Sequence, residues 1–427
     1  MTNTFSKQQS ASAMKRIALA AMAASVSCSA VATETLSLWY HGAGNPAEME
    51  VLGSIISDFN ASQNDWAVEI QSFPQNSYNS SIVAAGLSDN LPDILDVDAP
   101  VMPNWAWSGY LAPLDIQEDQ LAGFLPGTIG RYEGELYSIG FWDAAVAMFA
   151  RRSVLEKHNI RIPTLESPWT KDEFNSALAN LDASGDFKYP LDLGMASTGE
   201  WYSYAFGPFL HSFGGDLMDP SVPTAEGVLN GSAGIEFGEW WQMLFEQEWT
   251  PGTSQDGGDR ETGFLNGDYA LQWNGNWAAP AALAQFGDDL LLLPAPDMGE
   301  GSFIGSGSWQ FAVTKSSDKQ EGANAFIQFA LKDKYVAAFS NTTGLIPATE
   351  SAATMTSDYA AGGDLEVFYE LSNEQARNRV ITPGYGVASL EFEKALRDLA
   401  NGADVADTLD AATDAINDDL EKNNGYR

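Results

Sequence analysis

Polar and apolar residues alternate along Glu34–Tyr40, which is the pattern of a half-buried β-strand. A loop rich in small residues, 41–45, follows this strand. Asn45 then suits the N-cap of a helix, and Pro46 suits its first position. Apolar residues recur at helical spacing as far as Phe59 and share one face. This region therefore predicts a strand, a loop and an amphipathic helix.

The same order of elements continues along the chain. Residues 66–73 and 93–97 predict two further strands, and residues 78–87 predict the helix between them. Strands and helices that alternate at this spacing predict a parallel sheet with right-handed crossovers. Ligands bind beside the carboxyl ends of the strands in such sheets. Three loops of this chain lie there: residues 41–45, 74–78 and 96–107.

A second block of strands and helices begins near Tyr137. Thr170 and Glu173 form a capping box at the start of one of its helices. The apolar pattern predicts further helices at residues 232–248, 320–331 and 392–399, and short strands at residues 270–273, 290–293 and 310–314. Two α/β blocks in one chain are therefore expected.

The charge of the chain is strongly negative. Its 427 residues include 58 Asp and Glu against 21 Lys and Arg, which gives a formal net charge of −37. This balance argues against binding to nucleic acid or to an anionic membrane surface, since both need a basic surface. The 13 Trp, 14 Tyr and 22 Phe residues argue against a disordered chain. A soluble globular protein is expected.

The first 32 residues are typical of a secretory signal peptide. Lys15 and Arg16 precede a short apolar stretch, and an Ala-Val-Ala sequence ends at Ala32. We therefore expect export and cleavage after Ala32. The single cysteine, Cys28, lies inside this segment and lacks the leucine expected three positions before a lipoprotein cysteine. A lipid anchor at Cys28 is not expected, and the mature chain has no cysteine for a disulfide.

Motifs for catalysis and cofactor binding are missing from the sequence. It contains no P-loop, no G-x-S-x-G nucleophile motif and no H-E-x-x-H zinc motif. The three histidines, at positions 41, 158 and 211, are not spaced as metal ligands. The sequence therefore predicts neither a catalytic residue nor a metal or other cofactor.

Short segments along the chain match, in order, those of one protein family. They include FGGDLM at residues 213–218, GSGSW at residues 305–309 and TGLIPA at residues 343–348. In this collinear order the sequence resembles the family 1 extracellular solute-binding proteins, the maltose-binding-like receptors of sugar ABC importers. One departure lies at residues 150–153, where Ala-Arg-Arg-Ser replaces the usual Tyr-Asn-Lys sequence.

The resemblance implies a type II periplasmic binding protein with two α/β lobes. Each lobe would hold a mostly parallel sheet flanked by helices, and the chain would cross between the lobes three times. The implied crossings lie near residues 140–145, 305–311 and 344–347. The N-lobe would comprise residues 33–141 and 310–344, and the C-lobe residues 142–309 and 345–427. The ligand would lie between the lobes.

Sugars offer C–H faces to flat aromatic rings and hydroxyls to amide and carboxylate groups. Tryptophans at 240, 241 and 249 follow an apolar helix face and are expected in the core. The ligand contacts that the sequence and the resemblance predict are His41, Asn45, Tyr78, Asp96, Trp142, Asp143, Trp201, Tyr202, Trp277, Gly307, Ser308, Trp309 and Tyr385.

The expected function is that of a monomeric periplasmic receptor that captures a mono- or oligosaccharide for an ABC importer permease, without catalysis. A first alternative is a receptor for an anionic solute, such as a uronic-acid oligomer or glycerol phosphate. Its ligand could be held by Arg131, Arg260, Arg377 or Arg379. A second alternative is an exported carbohydrate-active enzyme that uses the same aromatic residues.

Overall fold

The computed structural model describes Met1 and residues 33–219, 221–252, 260–307 and 309–427. The expected signal peptide beyond Met1 and the candidate ligand contact Ser308 lie outside the described residues. Within the described part, no helix combines the length and the apolar composition needed to cross a membrane.

Strands and helices alternate through most of the described chain. The strands are β1 (Glu34–Tyr40), β2 (Trp66–Ser72), β3 (Ile94–Asp98), β4 (Leu111–Ala112), β5 (Ile129–Tyr132), β6 (Glu135–Ile139), β7 (Trp142–Arg151), β8 (Tyr189–Asp192), β9 (Tyr269–Gly275), β10 (Leu290–Leu293), β11 (Ile304–Gly307), β12 (Trp309–Thr314), β13 (Ile346–Pro347) and β14 (Ala376–Arg377). The helices are α1 (Pro46–Ser62), α2 (Gln75–Gly86), α3 (Met102–Trp107), α4 (Arg152–Lys157), α5 (Lys171–Ser184), α6 (Trp201–Ser212), α7 (Ser232–Glu246), α8 (Arg260–Asn266), α9 (Ala279–Phe286), α10 (Gln320–Ala330), α11 (Asp333–Thr343), α12 (Glu350–Ala353), α13 (Glu366–Glu374), α14 (Tyr385–Ala400) and α15 (Val405–Lys422).

The first lobe is built on a sheet with the order β2-β1-β3-β12-β6-β5, and β4 pairs with β12. Leu36 and Leu38 of β1 are fully buried, as their alternation with polar residues predicts. Helix α1 packs its apolar face, including Phe59, onto this core. Phe326 of α10 and Phe339 of α11 belong to the same core.

The second lobe is built on a sheet with the order β14-β11-β7-β9-β8, and β10 and β13 pair with β7. The first nine of the ten residues of β7 are buried, because other strands pair with its edges and helices of the second lobe pack on the sheet. Trp240, Trp241 and Trp249 pack in this core, which confirms their predicted structural role. The two separate cores confirm the expected two-lobed α/β architecture.

Both sheets are mixed, so the expectation of mostly parallel sheets is wrong. In the first sheet, β1 is parallel to β2 and β3, but β12 is antiparallel to β3 and β6. In the second sheet, β7 is antiparallel to β9, β10, β11 and β13. The cause lies in the crossings. β6 leaves the first sheet at the cleft and β12 enters it there, so these two neighbours are antiparallel, and the same holds for β11 and β7 in the second sheet.

The chain passes between the sheets at three places, as the fold class predicts. It leaves β6 for β7, returns from β11 to β12, and leaves α11 for β13. The three passages lie side by side, because the start of β7 pairs with β13 on one edge and with β11 on the other. Asp143 strengthens this arrangement by accepting a hydrogen bond of 3.1 Å from the backbone N–H of Gly307.

Candidate functional site

A cavity of about 490 Å³ lies between the two sheets. Its volume is within the usual range for small-molecule sites. The loops after β1, β2 and β3 contribute to one wall, as expected for the carboxyl ends of parallel strands. The first lobe contributes His41, Asn45, Glu48, Gln75, Asp98, Trp309 and Thr343, and residues of the second sheet and its helices include Trp142, Thr198, Glu200, Trp201, Tyr204, Trp277, Gly307 and Arg379.

A second cavity of about 500 Å³ continues from the first and shares His41, Asn45, Glu48 and Gln75 with it. Its remaining lining comes from the first lobe, from the loop at residues 42–44 and from Pro74 and Asn76 at the start of α2. The cleft therefore has an inner part walled by aromatic rings of both lobes and an outer part walled by the first lobe alone.

Aromatic rings form the wall of the inner cavity on the side of the second lobe. The ring of Trp277 is 6.3 Å from that of Trp201 in an edge-on arrangement and 6.2 Å from that of Tyr204. Trp277 lies directly over Gly275, where a Cβ atom would come within 2.2 Å of the indole. With 40% of its surface exposed, Trp277 offers its ring to the cavity. Gly275 therefore helps to place this ring.

His41 supports the ring of Trp309 on the side of the first lobe. The two rings are parallel to within 9°, and their centroids are 3.9 Å apart. His41 Nδ1 contacts Asp96 Oδ2, and Nε2 lies 3.7 Å from Glu48 Oε2. Burial lowers the pKa of His41, but the Asp96 and Glu48 carboxylates raise it, and the net pKa lies above the ordinary value.

Glu48 reaches the cavity from the first turn of α1. Asn45 caps this helix by accepting a hydrogen bond of 3.4 Å from the Glu48 N–H, and its Nδ2 donates to Glu48 Oε1 at 2.5 Å. The Tyr40 hydroxyl donates to Glu48 Oε2 at 2.9 Å. Burial raises the pKa of Glu48 despite these donors and His41. The same cap that starts the helix thus fixes a carboxylate at the cavity.

Arg379 links carboxylates of both lobes at one end of the cavity. Its Nη1 donates to Glu200 Oε1 at 2.6 Å, and its Nη2 lies 3.7 Å from Asp98 Oδ1. Burial lowers the pKa of Arg379, but the neighbouring Glu200 carboxylate raises it, and the net pKa lies above the ordinary value. The guanidinium therefore stays charged. Burial raises the pKa of Asp98 to about 7, although Arg379 opposes this shift. Since Asp98 ends β3, this contact joins the two lobes.

Seven of the predicted contacts line the inner cavity: His41, Asn45, Trp142, Trp201, Trp277, Gly307 and Trp309. Five others do not line this cavity and are buried in its supports: Tyr78, Asp96, Asp143, Tyr202 and Tyr385. The Tyr78 hydroxyl donates to the Trp39 carbonyl at 2.9 Å, and that of Tyr202 donates to the Met195 carbonyl at 3.1 Å. Tyr385 contacts Glu200 through its hydroxyl. These side chains hold the walls in place.

Several lining residues were not predicted as ligand contacts. Among them are Glu48, Gln75, Asp98, Thr198, Glu200, Tyr204 and Arg379. Glu48 carried a signal, because it belongs to the first turn after the N-cap. Gln75 and Asp98 lie in segments that the sequence places at the strand ends, and Arg379 was considered only for an anionic ligand. Glu200 carried no signal.

Three of the four arginines considered for an anionic ligand have partners within the protein. Arg379 pairs with Glu200, and Arg131 pairs with Glu118 at 2.6 Å. The guanidinium of Arg377 lies 4.2 Å from the centre of the Phe303 ring. The side chain of Arg260 lies outside the described part. Among the described residues, no group of three or more His, Cys, Asp and Glu side chains is placed to hold a metal ion.

Solved structures share this fold. The cyclic α-maltosyl-1,6-maltose binding protein from Arthrobacter globiformis is 23% identical, with a TM-score of 0.76 over 91% of this chain and 100% of that chain. The sugar-binding protein MalE from Xanthomonas citri is 17% identical, also with a TM-score of 0.76, over 91% of this chain and 98% of that chain. Both likenesses show the two-lobed fold.

The sequence has relatives as well. The diacetylchitobiose binding protein DasA of Streptomyces coelicolor is 24% identical over 339 residues, which are 75% of this chain and 74% of that protein. A sequence model of the bacterial extracellular solute-binding proteins matches residues 54–366, well over half of the chain. The chain therefore belongs to the bacterial extracellular solute-binding protein family.

Proposed function

We propose that this protein is the substrate-binding receptor of an ABC importer and captures a mono- or oligosaccharide between its lobes. The observation that carries this proposal is the cavity between the lobes, with Trp309 on one side and Trp201 and Trp277 on the other. Such rings attract the C–H faces of sugars. The carboxylate and amide groups beside them suit hydroxyls. The names of DasA and of the Arthrobacter globiformis binding protein agree with a sugar ligand.

The charges around the cavity favour a neutral sugar over an anionic solute. The carboxylates of Glu48, Asp98 and Glu200 line it, whereas its guanidinium, that of Arg379, is already paired. An anion would enter against these carboxylates and against the net charge of −37. Neutral hydroxyls would instead donate hydrogen bonds to them.

The proposal includes the cellular form of the receptor. We place the mature protein in the periplasm, with the signal peptide removed after Ala32 and no lipid at Cys28. Residues 33–141 and 310–344 form the proposed N-lobe, and residues 142–309 and 345–427 the proposed C-lobe. The receptor acts as a monomer and delivers its sugar to a permease. None of its residues has a catalytic role in this proposal.

A thermal-shift screen of the mature chain tests the ligand class. Its panel consists of maltose, maltotriose, N,N′-diacetylchitobiose and glycerol 3-phosphate. A bound sugar at a hundredfold excess over its Kd is expected to stabilise the protein by about 3 kcal/mol. Trp277→Ala and Trp309→Ala should lose the shift, while Trp66→Phe, in β2 and outside the cavity, should keep it. A shift with glycerol 3-phosphate alone would contradict the proposal.

A long incubation of the protein with the bound sugar tests the enzyme alternative. Chromatography of the mixture should return the sugar unchanged, because the proposed receptor only binds it. Appearance of shorter or modified sugars, absent with Trp277→Ala, would overturn the non-catalytic part of the proposal.

A further inference from the structure

Ring contacts on more than one side hold Trp309. His41 stacks on it in parallel at 3.9 Å, and the ring of Tyr78 meets it at 73° and 5.5 Å. Trp309 is the first residue of β12, directly after the passage from the second lobe, and only 8% of its surface is exposed. The orientation of its indole therefore depends on side chains of the first lobe.

The imidazole of His41 is itself fixed by two carboxylates. Its Nδ1 contacts Asp96, and the same carboxylate accepts a hydrogen bond of 3.3 Å from the His41 backbone N–H. Its Nε2 lies 3.7 Å from Glu48 Oε2. A protonated imidazole has a donor on each nitrogen, whereas a neutral imidazole has one. Two facing carboxylates therefore match the imidazolium form.

An imidazolium stacked on an indole is also held by the cation–π attraction. The protonated ring of His41 thus binds Trp309 more firmly than the neutral ring, and Asp96 fixes its orientation. The arrangement puts a charged support behind a ring that lines the ligand cavity.

We infer that His41 is a positioning residue: together with Asp96 it holds Trp309 in the orientation that stacks on the sugar, and its protonation controls how firmly that ring is held. This inference rests on the proposed function, because it assumes that Trp309 contacts the sugar. It makes sugar binding by this receptor dependent on pH through one histidine.

The direction of the pH dependence follows from the groups that face His41. These groups are Tyr40 on β1, Glu48 on α1, and Asp96 and Asp98 on β3. Burial lowers the pKa of His41, but Asp96, Glu48 and Asp98 raise it above its ordinary value. The support is therefore present at low pH and is lost as the pH rises through this raised pKa. Sugar binding should weaken over the same interval.

NMR titration of the histidine Cε1–Hε1 signals tests the charge of His41 without any ligand. The chain has three histidines, so His41→Gln assigns the signal by its disappearance. We expect a midpoint above 6.5, and a lower midpoint in Asp96→Asn, which removes the facing charge. A midpoint at or below 6.5 in the wild type would overturn the inference.

Calorimetric titrations with maltotriose and with N,N′-diacetylchitobiose at pH 6 and pH 9 test the link to binding. For the sugar that binds, we expect about fivefold weaker affinity at pH 9, the scale of a lost cation–π contact. His41→Gln should bind weakly at both values, with a smaller difference between them. His211→Gln, outside the cavity, should keep the wild-type profile. The comparison with His41→Gln removes the contributions of the nearby carboxyl groups.

The outcomes separate this inference from the proposed function. If Trp309→Ala binds the sugar like the wild type, the proposed site is wrong. If Trp309→Ala loses binding while His41→Gln keeps the wild-type pH profile, the site stands and the role of His41 is wrong. A purely structural role of His41 would lower affinity equally at both pH values, and that result also contradicts the inference.

Discussion

Replacing Gly275 with alanine tests the role of Trp277 without removing any ring. A Cβ atom at position 275 would lie 2.2 Å from the indole, and ordinary contact begins at 3.4 Å, so the ring must move by about 1.2 Å. The atoms that clash are at the far end of the indole. Trp277 is 40% exposed and can swing outward, so the fold itself should tolerate the change.

The expected loss is that of one stacking ring. A well-placed aromatic contact contributes about 1 kcal/mol beyond the area it buries, and the displaced ring also leaves sugar surface in water. We therefore expect a Kd that is about tenfold higher, which corresponds to about 1.4 kcal/mol. The free energy of unfolding should change by less than about 0.5 kcal/mol, as for a substitution without a core effect.

A double-mutant cycle measures whether Gly275 acts through Trp277. Titrations with maltotriose and N,N′-diacetylchitobiose compare Gly275→Ala, Trp277→Ala and the double variant. The double variant should bind like Trp277→Ala, because the displaced ring is then already gone. Gly207→Ala in α6, where a Cβ meets no atom within 4 Å, should bind like the wild type. Additive losses, or wild-type binding by Gly275→Ala beside weak binding by Trp277→Ala, would refute the reasoning.

Three further substitutions test the electrostatics and the closure of the cleft. Arg379→Met removes the guanidinium that pairs with Glu200, a side chain that is about one third exposed. The free energy of unfolding in urea should fall by about 2 kcal/mol. An unchanged midpoint of urea unfolding would contradict this prediction. Burial raises the pKa of Asp143 to about 6, so the folded protein binds that proton more tightly than the unfolded chain and loses stability as the pH rises toward 6. Asp143→Asn should therefore be more stable than the wild type at pH 8, by on the order of 3 kcal/mol, but not at pH 4. Parallel curves of the free energy of unfolding against pH for the two proteins would refute this prediction. The ring of Trp107 meets that of Tyr426 at 4.9 Å between the lobes. Trp107→Ala should therefore weaken the contact between the lobes by about 1 kcal/mol and enlarge the radius of gyration in X-ray scattering. An unchanged radius of gyration would contradict this role of the contact.

Elements whose start is fixed by local chemistry could be predicted closely from the sequence. Helix α1 begins at Pro46 after the Asn45 cap, and α5 begins directly after Thr170, with Glu173 completing the capping box. Such caps act between residues three positions apart, so a single sequence contains the whole interaction. The strand Glu34–Tyr40 was predicted with its observed ends for a similar reason, since its alternation is complete and a loop follows.

Helix α6, which begins at Trp201, could not be predicted. Nine of its twelve residues are buried, so no polar face marks a helical period, and Pro208 lies in its interior. Packing against the surrounding core, not propensity, determines this helix. Trp273 lies close to Trp277 in the sequence but does not line the cavity. It points into the core from β9, where its Nε1 donates to the Ala205 carbonyl at 2.9 Å.

In two pairs of sequence neighbours that were predicted as ligand contacts, only one member of each pair lines the cavity. Backbone geometry explains this difference. Trp142 lines the cavity, but Asp143 does not, because neighbours on a strand point to opposite sides. Trp201 lines it, but Tyr202 does not, because neighbours on a helix point about 100° apart. A sequence identifies the segment that reaches the cleft, whereas the choice between neighbours requires the orientation of the element.

The Asp98 carboxylate relates sugar capture to closure. It belongs to the first lobe, and Glu200 and Arg379 of the second lobe lie beside it. Burial, together with the Glu200 charge, raises the pKa of Asp98 to about 7 against the opposing effect of Arg379. Closing the empty cleft at neutral pH therefore carries an electrostatic cost. We expect a sugar hydroxyl that donates to Asp98 to offset this cost, so the sugar binds the closed form better than the open form and shifts the population toward it. We therefore expect closure on a bound sugar to be favoured over closure of the empty receptor.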